Sequence, residues 1–147
     1  MKKIEGWVTA PQGFIAAGVK AGIKASGNHD VAVIFSTVPA ACGAVFTQNK
    51  MCAAPVLVSR EVNKHGYAQA IAVNSGCANA CTGEQGLADA KKMQAHTAEL
   101  LGIAPEAVFV CSTGVIGQFL PMDKLLTGIA DAVDSLDECE GESCAMA

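Results

Sequence analysis

Short runs of hydrophobic residues, each bounded by turn-forming residues, recur along the chain. Asp30–Ser36 is almost continuously apolar, which is typical of a β-strand that is covered on both faces. Further runs that are rich in β-branched residues have the same character and predict strands. These runs are Gly43–Thr47, Pro55–Ser59, Gln69–Asn74 and Ala107–Cys111.

Two longer segments instead repeat apolar or small residues every three or four positions, as an amphipathic helix does. The first begins near Thr82, and Thr82 with Gln85 fits the capping-box pattern. Gly102, followed by Pro105, marks its end. The second begins near Pro121 and carries its apolar face on Leu125, Leu126, Ile129, Ala132 and Val133. Strands and helices together predict a mixed α/β chain without internal repeats.

Composition and net charge exclude two classes of protein, disordered chains and nucleic-acid-binding proteins. With 147 residues, 51% hydrophobic and 16% charged, the chain is long and apolar enough for one packed domain and is not intrinsically disordered. Its net charge is −4, and no cluster of Lys and Arg is interleaved with aromatic residues. A nucleic-acid partner is therefore excluded, because such partners require a basic surface.

Targeting signals are missing from the pattern. Met1–Trp7 has a basic start without a long apolar stretch behind it, so we expect no signal peptide. The longest strictly apolar run, Val31–Phe35, is far shorter than the roughly 20 residues of a membrane span. Seven cysteines, with no pair spaced CxxC, indicate free and mostly buried thiols in a reducing compartment. We expect a cytoplasmic protein with no membrane partner.

The C-terminal segment is acidic. Asp131–Glu142 contains six acidic residues and no basic residue. It is either a frayed acidic tail or a connecting loop of a longer protein, and composition does not separate the two.

The segment Asn74–Gly83 joins a predicted strand to a predicted helix N-terminus. Its small residues and glycine would let backbone N–H groups face an anion or a polar substrate group, and the helix start adds positive potential. The alternative is a tight turn filled by small side chains, which local spacing favours. The segment lacks the GxxxxGK[ST] pattern, which argues against a nucleotide.

A second candidate, Cys111–Gly117, directly follows a predicted strand. A Thr-Gly step at a strand end can present a hydroxyl and a backbone N–H to one point, which is the geometry of an oxyanion hole. Ser112 and Thr113 are also candidate nucleophiles, although a nucleophile needs a base within reach. A plain glycine-containing turn is the alternative that so short a pattern favours.

Cysteines and histidines form the third candidate. Cys77 and Cys81 could be combined with Cys42 and Cys52 into a zinc site, but nothing in the spacing requires it, and buried thiols are the favoured interpretation. We expect His96 to lie solvated on a helix face. No catalytic triad can be assembled from the spacing, and we assign no metal ligand.

Four segments in order carry a resemblance to a known family: Val8–Phe14, Ala53–Arg60, Val73–Gly86 and Ser112–Gly117, with Leu120–Asp123 following. They resemble the bifunctional ornithine acetyltransferase / N-acetylglutamate synthase family of arginine biosynthesis along nearly the whole chain. The resemblance implies an α/β layered fold of the DmpA/ornithine-acetyltransferase type, similar in layout to N-terminal-nucleophile hydrolases.

The family's precursor cuts itself before a Thr, which becomes the nucleophile of the β chain. That Thr takes acetyl from N-acetylornithine and passes it to glutamate, and some members also use acetyl-CoA. By resemblance, the Thr113 hydroxyl and the Gly114 amide form the oxyanion hole, and no cofactor or metal is implied. The nucleophile and the family's substrate-binding residues lie outside residues 1–147, while Cys77 stands where many relatives carry Asn.

The resemblance makes residues 1–147 the N-terminal portion of an α chain. Its partners would be the rest of the α chain and the β chain, in αβ units that form a heterotetramer. We expect the isolated chain to be inactive and to expose an apolar face. Two alternatives stay open: a non-catalytic α-chain remnant or interaction module, and an acyltransferase of the same fold with another substrate.

Overall fold

A single four-stranded sheet organises the computed structural model, which describes residues 6–147. The strand order is the chain order, β1-β2-β3-β4. β1 and β2 pair antiparallel, β2 and β3 pair antiparallel, and β3 and β4 pair parallel. The strands are β1 (Phe14–Val19), β2 (Val31–Ala41), β3 (Tyr67–Cys77) and β4 (Val108–Val115). The signal-peptide prediction falls mainly on residues 1–5, which lie outside the described residues.

Three helices cover one face of the sheet. They are α1 (Ala54–Asn63), α2 (Gly83–Leu101) and α3 (Met122–Asp134). Met93, Leu125 and Ile129 from these helices pack on Val33 and Val110 of the strands, and all five are buried. This face holds the main core, and the parallel pair β3–β4 is connected through α2, as parallel strands require a crossover.

The opposite face of the sheet is covered only in part. α4 (Gly141–Met146) packs on β1, where Cys144 joins Ala16 and Ala32 in a small apolar cluster. Farther along the sheet, an open apolar groove is lined by half-buried side chains. These side chains are Phe14, Ile34, Ile71 and Phe109. We call this surface the open face.

The mixed α/β class and both predicted helices are confirmed. Thr82 is the N-cap of α2, but its side chain makes no capping hydrogen bond to the helix, so the capping box itself is wrong. Its hydroxyl instead donates to Asn79 Oδ1 at 2.8 Å. Gly102 ends α2, as predicted, and adopts the left-handed conformation.

The predicted strand Pro55–Ser59 is wrong, because these residues lie inside α1. Pro55 stands in the first turn, where proline suits a helix. The buried positions Ala54, Val58 and Val62 recur every four residues, which places them on one helical face. The helical period of the buried positions can be recognised over all ten residues of the helix, but not over residues 55–59 alone.

Gly43–Thr47 also forms no strand. Val45 is 99% exposed, and residues 43–47 pair with none of the described strands. The Arg60 guanidinium donates to the Thr47 carbonyl and ties the segment to α1 instead. Conversely, β1 was not predicted; its core contribution is the small pair Ala16 and Ala17, which gives little hydrophobic contrast.

The acidic segment Asp131–Glu142 is not a frayed tail in this structure. Its first residues complete α3, Asp137 bridges to Ala16 at the edge of β1, and the chain then enters α4. The hydroxyl of Ser143 accepts a hydrogen bond from the Gly18 amide at 3.0 Å. Among residues 6–147, no helix is both long and apolar enough to cross a membrane.

Candidate functional site

The Thr113–Gly114 step lies at the carboxyl end of the parallel strand pair. β4 continues to Val115, so the motif predicted as a turn after the strand is for the most part still strand. Ser75 stands opposite Thr113 and Gly76 stands opposite Gly114 in the β3–β4 ladder. Carboxyl ends of parallel strands are frequent ligand sites in α/β proteins.

Gly114 and Gly76 approach each other more closely than side chains would permit. A Cβ added to Gly114 would lie 2.6 Å from the Gly76 carbonyl oxygen and 2.7 Å from the Cys77 amide nitrogen. Both glycines have positive φ angles, 128° for Gly114 and 108° for Gly76. Glycine is therefore required at position 114 for two independent reasons, contact and backbone conformation.

Thr113 is exposed and shares the open face with Phe109, because alternate residues of a strand lie on the same face. Among the hydrogen bonds of the described residues, none involves the Thr113 hydroxyl, which leaves it free to donate outward. Its ladder neighbour Ser75 donates to the Ala147 carbonyl, and the Lys24 ammonium donates to the same oxygen at 2.9 Å.

Asn74–Gly83 forms a structural turn rather than an outward-facing anion loop. β3 includes its first four residues, and Asn74 and Asn79 are completely buried. The Asn74 side-chain amide donates to the Cys77 carbonyl at 3.0 Å, and that of Asn79 donates to the Gly86 carbonyl at 2.8 Å. The backbone amide of Ala78 is also used internally, on the Val115 carbonyl at 3.0 Å.

Cys77 is buried, and its thiol donates to the Gln118 carbonyl at 3.3 Å. The Gly117 amide donates to the Ala80 carbonyl at 2.9 Å. These bonds hold the segment after β4 against the segment after β3. The residue at position 77 therefore supports the loop that follows Thr113 and Gly114.

Ser112 and Thr113 lie on opposite faces of β4. Ser112 stands opposite Asn74 in the ladder, on the face that the helices cover. Its hydroxyl oxygen and the Asn74 Oδ1 are both buried and have no hydrogen-bond partner among the described residues. Of the two candidate nucleophiles, only Thr113 is accessible from the open face, and among the hydrogen bonds of residues 6–147 none joins a histidine to either.

Histidines and cysteines do not gather into a site. His96 is half-buried, with its Nε2 atom 3.2 Å from the Leu126 carbonyl oxygen, so the prediction of a solvated ring is wrong. Within the part of the chain that the structure describes, no three His, Cys, Asp or Glu side chains are placed to hold a metal ion.

The prediction of mostly buried thiols is also wrong. All seven cysteines are free, but only Cys77 and Cys144 are buried. Cys111, beside Thr113 on the open face, is an exposed residue, but partial desolvation of its thiol raises the pKa. The pKa of Cys144 is raised for the same reason.

Asp30 and Gly76 were missed as contributors to this region. Asp30 is completely buried at the start of β2, and its backbone carbonyl accepts the Ser75 amide at 2.8 Å. In the sequence, Asp30 stands out only as the first residue of an apolar run, and Gly76 only as part of a loop of small residues and glycine. Their link to Gly114 depends on strand register, for which local sequence carries no signal.

Comparison with known proteins identifies the family. Residues 15–147 match the ArgJ family model. The chain is 52% identical, over its whole length, to the arginine biosynthesis bifunctional protein ArgJ of Caldanaerobacter subterraneus, of which it covers 36%. It is 50% identical over 141 residues to the protein of the same name from Streptomyces coelicolor, of which it covers 37%. The chain thus spans about a third of the length of these relatives.

Solved structures share the fold. The ornithine acetyltransferase of Mycobacterium tuberculosis, crystallised with ornithine, superposes with a TM-score of 0.93 at 46% identity, over 96% of this chain and 77% of that one. The bifunctional protein ArgJ of Bacillus halodurans gives a TM-score of 0.88 at 42% identity, over 96% and 74% of the two chains. These likenesses confirm the predicted fold class and the resemblance. By its sequence and its fold, the chain belongs to the ArgJ family.

Proposed function

We propose that residues 1–147 are the N-terminal portion of the α chain of an enzyme that transfers acetyl from N-acetylornithine to glutamate in arginine biosynthesis. The transfer runs through an acetyl-Thr intermediate whose Thr lies outside residues 1–147. Acetyl-CoA is a second acetyl donor in some members of the family. The names of the ArgJ relatives and of the ornithine acetyltransferase structure support this assignment.

Thr113 and Gly114 form the oxyanion hole in this proposal. Attack on the acetyl carbonyl builds negative charge on its oxygen, and donors fixed in advance at that position stabilise the charge. The observation that carries the assignment is the Thr113–Gly114 step itself: an exposed hydroxyl without a partner, followed by a glycine locked against Gly76. The missing side chain at position 114 lets a substrate carbonyl reach the backbone amide.

The open face is where the partners dock. Half-buried Phe109 and Ile71 line its groove, and an uncovered apolar surface of this kind is typical of a binding interface. The rest of the α chain and the β chain cover it, and a nucleophilic Thr carried there reaches Thr113 from the same side. Pairs of αβ units assemble into a heterotetramer.

Seven cysteines without a disulfide support the cytoplasm as the compartment, since its thiols are kept reduced. No cofactor is part of the proposed reaction. The nucleophile's own α-amine can serve as its base, which is the logic of an activated N-terminal Thr.

Thr113→Ala in the full-length protein tests the proposal. We expect kcat for acetyl transfer from N-acetylornithine to glutamate to fall roughly 100- to 1,000-fold, the usual cost of one oxyanion-hole donor. Thr113→Ser keeps the hydroxyl and should retain most of the activity. Thr127→Ala, at an exposed position of α3, serves as the matched control.

Unchanged acetyl transfer in Thr113→Ala would overturn the oxyanion-hole assignment. A full-length protein that transfers no acetyl group even as wild type would instead support the non-catalytic interaction module. Activity with a different acyl donor would favour the acyltransferase of other specificity. Thermal unfolding of each variant separates loss of chemistry from loss of fold.

A further inference from the structure

The Asp30 carboxylate is buried and is satisfied by backbone donors of one short loop. Its Oδ1 accepts the Ala21 amide at 2.7 Å, and its Oδ2 accepts the amides of Ile23 at 2.6 Å and Lys24 at 2.9 Å. The nearby Lys24 ammonium does not pair with it and donates to the His29 and Ala147 carbonyls. Burying a carboxylate is costly unless hydrogen bonds compensate, so this one is used to shape the loop of residues 21–24.

This loop lies directly on Gly76. A Cβ placed on Gly76 would be 3.0 Å from Ile23 Cγ2 and 3.3 Å from Lys24 Cγ. Asp30 also holds the neighbouring residue, because its carbonyl accepts the Ser75 amide at 2.8 Å. Asp30 therefore acts on this part of β3 in two ways. Its backbone carbonyl binds the Ser75 amide, and its side chain holds the loop that lies on Gly76.

Gly76 in turn lies against Gly114, as the 2.6 Å separation from its carbonyl oxygen to a Cβ at position 114 shows. Two contacts thus lead from the Asp30 carboxylate to the Thr113–Gly114 step: loop 21–24 on Gly76, and Gly76 on Gly114. Such packed contacts transmit small displacements, because protein interiors have little free space to absorb them.

We propose that Asp30 is a positioning residue for the oxyanion hole, an inference that rests on the proposed function of Thr113 and Gly114. Asp30 touches no reacting atom. It clamps loop 21–24 against Gly76, and Gly76 sets the place of the Gly114 amide at the end of β4. The Gly114 amide lies at hydrogen-bonding distance from the acetyl carbonyl oxygen only while Asp30 holds loop 21–24 against Gly76.

The clamp requires a carboxylate rather than an amide. Three N–H donors approach two oxygens, and an ionised carboxylate is an acceptor on both. Asn at this position would offer one oxygen and would turn an NH2 group toward at least one backbone N–H. Asp30→Asn therefore opens the clamp while it keeps the volume of the side chain.

The test is a double-mutant cycle in the full-length protein with Asp30→Asn and Thr113→Ala. We expect Asp30→Asn to lower kcat roughly 10- to 100-fold, the effect of a misplaced catalytic group, while KM for N-acetylornithine changes less than about threefold. In the Thr113→Ala background, the same substitution should lower kcat less than it does in the wild type, because the two donors act on one oxygen and residues that act as a unit are not additive. A role in stability alone would give effects that multiply.

Asp131→Asn, which alters an exposed carboxylate of α3, is the matched control and should leave kcat unchanged. Hydrogen exchange at the Gly114 amide gives a readout that does not depend on activity, and we expect it to speed up in Asp30→Asn. If that variant does not fold, Ile23→Ala removes the contact on Gly76 with the carboxylate intact, and the same cycle is run with it.

The outcomes separate the two proposals. An effect of Thr113→Ala with no kcat change in Asp30→Asn overturns the positioning role alone, as do effects that multiply across the cycle. Unchanged activity in Thr113→Ala overturns the oxyanion-hole assignment and the positioning role together. Coupled losses with faster exchange at Gly114 support both.

Discussion

Gly114 lies directly beside Gly76 across the parallel β3–β4 ladder, so close that a methyl group on Gly114 would come within 2.6 Å of the Gly76 carbonyl oxygen. The contact joins the ends of two strands that approach the same point. A side chain at position 114 would push these ends apart, and with them the neighbouring Thr113 and Ser75. Stability and the geometry of the candidate site therefore depend on the same atoms.

Gly114→Ala should destabilise the full-length protein by about 2–4 kcal/mol, the sum of backbone strain and overpacking. Gly117→Ala is the matched control: Gly117 also has a positive φ, of 79°, but nothing lies within 4 Å of an added Cβ. Urea unfolding measures both. Equal destabilisation by the two substitutions would show that the Gly76 contact contributes nothing.

Ser59→Ala should cost about 1–3 kcal/mol, because it leaves buried backbone groups unpaired. The Ser59 hydroxyl donates to the Val110 carbonyl at 2.9 Å and accepts the Val110 amide at 3.2 Å, so it completes the outer edge of β4 from α1. Ser135→Ala, at an exposed hydroxyl, is the control and should stay within about 0.5 kcal/mol. Similar unfolding midpoints for the two variants would show that the hydrogen bonds of Ser59 to the edge of β4 do not stabilise the protein.

The isolated chain of residues 1–147 should self-associate through the open face, since exposed apolar grooves promote association. Phe109→Glu should shift the chain toward monomer in sedimentation velocity. Val45→Glu changes a side chain that is 99% exposed and lies outside the groove, and it should have no such effect. A monodisperse wild-type monomer of 15.0 kDa would contradict the prediction.

Asp137→Asn should speed the alkylation of Cys139 at a fixed pH near 7.5. The pKa of Cys139 is raised by its hydrogen bond with Asp137, then by the negative charge of Asp137 and, to a smaller extent, of Glu138 and Glu140. Removing one carboxylate lowers that pKa, so more reactive thiolate is present at the same pH. The rate should rise with pH in both proteins, with the variant's profile displaced to lower pH.

Iodoacetamide labelling of the isolated chain, followed by peptide mass spectrometry, measures this rate. Cys111 serves as the internal control, because its pKa is raised by burial and not by Asp137. Equal rates at Cys139 in both proteins would show that Asp137 does not control the thiol.

Much of the fold could be predicted from sequence where the hydrophobic period extends over enough residues. The nineteen residues of α2 and the thirteen of α3 show a helical period with clear ends. Pro55–Ser59 predicts a strand because its three apolar residues, Val56, Leu57 and Val58, are too few to distinguish a strand period from a helical one. β1 was missed because its buried residues are alanines, whose small side chains give a weak pattern.

Some residues of the candidate site could be identified from the sequence and others could not. Thr113 and Gly114 could be named from the family resemblance, and the structure places them where a ligand can reach them. The glycine contact at position 76 and the Asp30 clamp could not be predicted, because they depend on the register between distant strands. The small residues and glycine of Asn74–Gly83 had suggested an anion-binding loop, beside the tight turn that local spacing favours, and the burial of Asn74 and Asn79 agrees with the turn.

The parallel pairing of β3 with β4 also determines when the site can form during folding. Gly76 and Gly114 are 38 positions apart (114 minus 76), and the whole of α2 lies between them. Contacts of such sequence separation require the closure of a long loop and form slowly relative to helices. A refolding chain therefore gains most of its helical circular-dichroism signal before the Thr113–Gly114 step reaches its final place, and the completed site marks the native state rather than an intermediate.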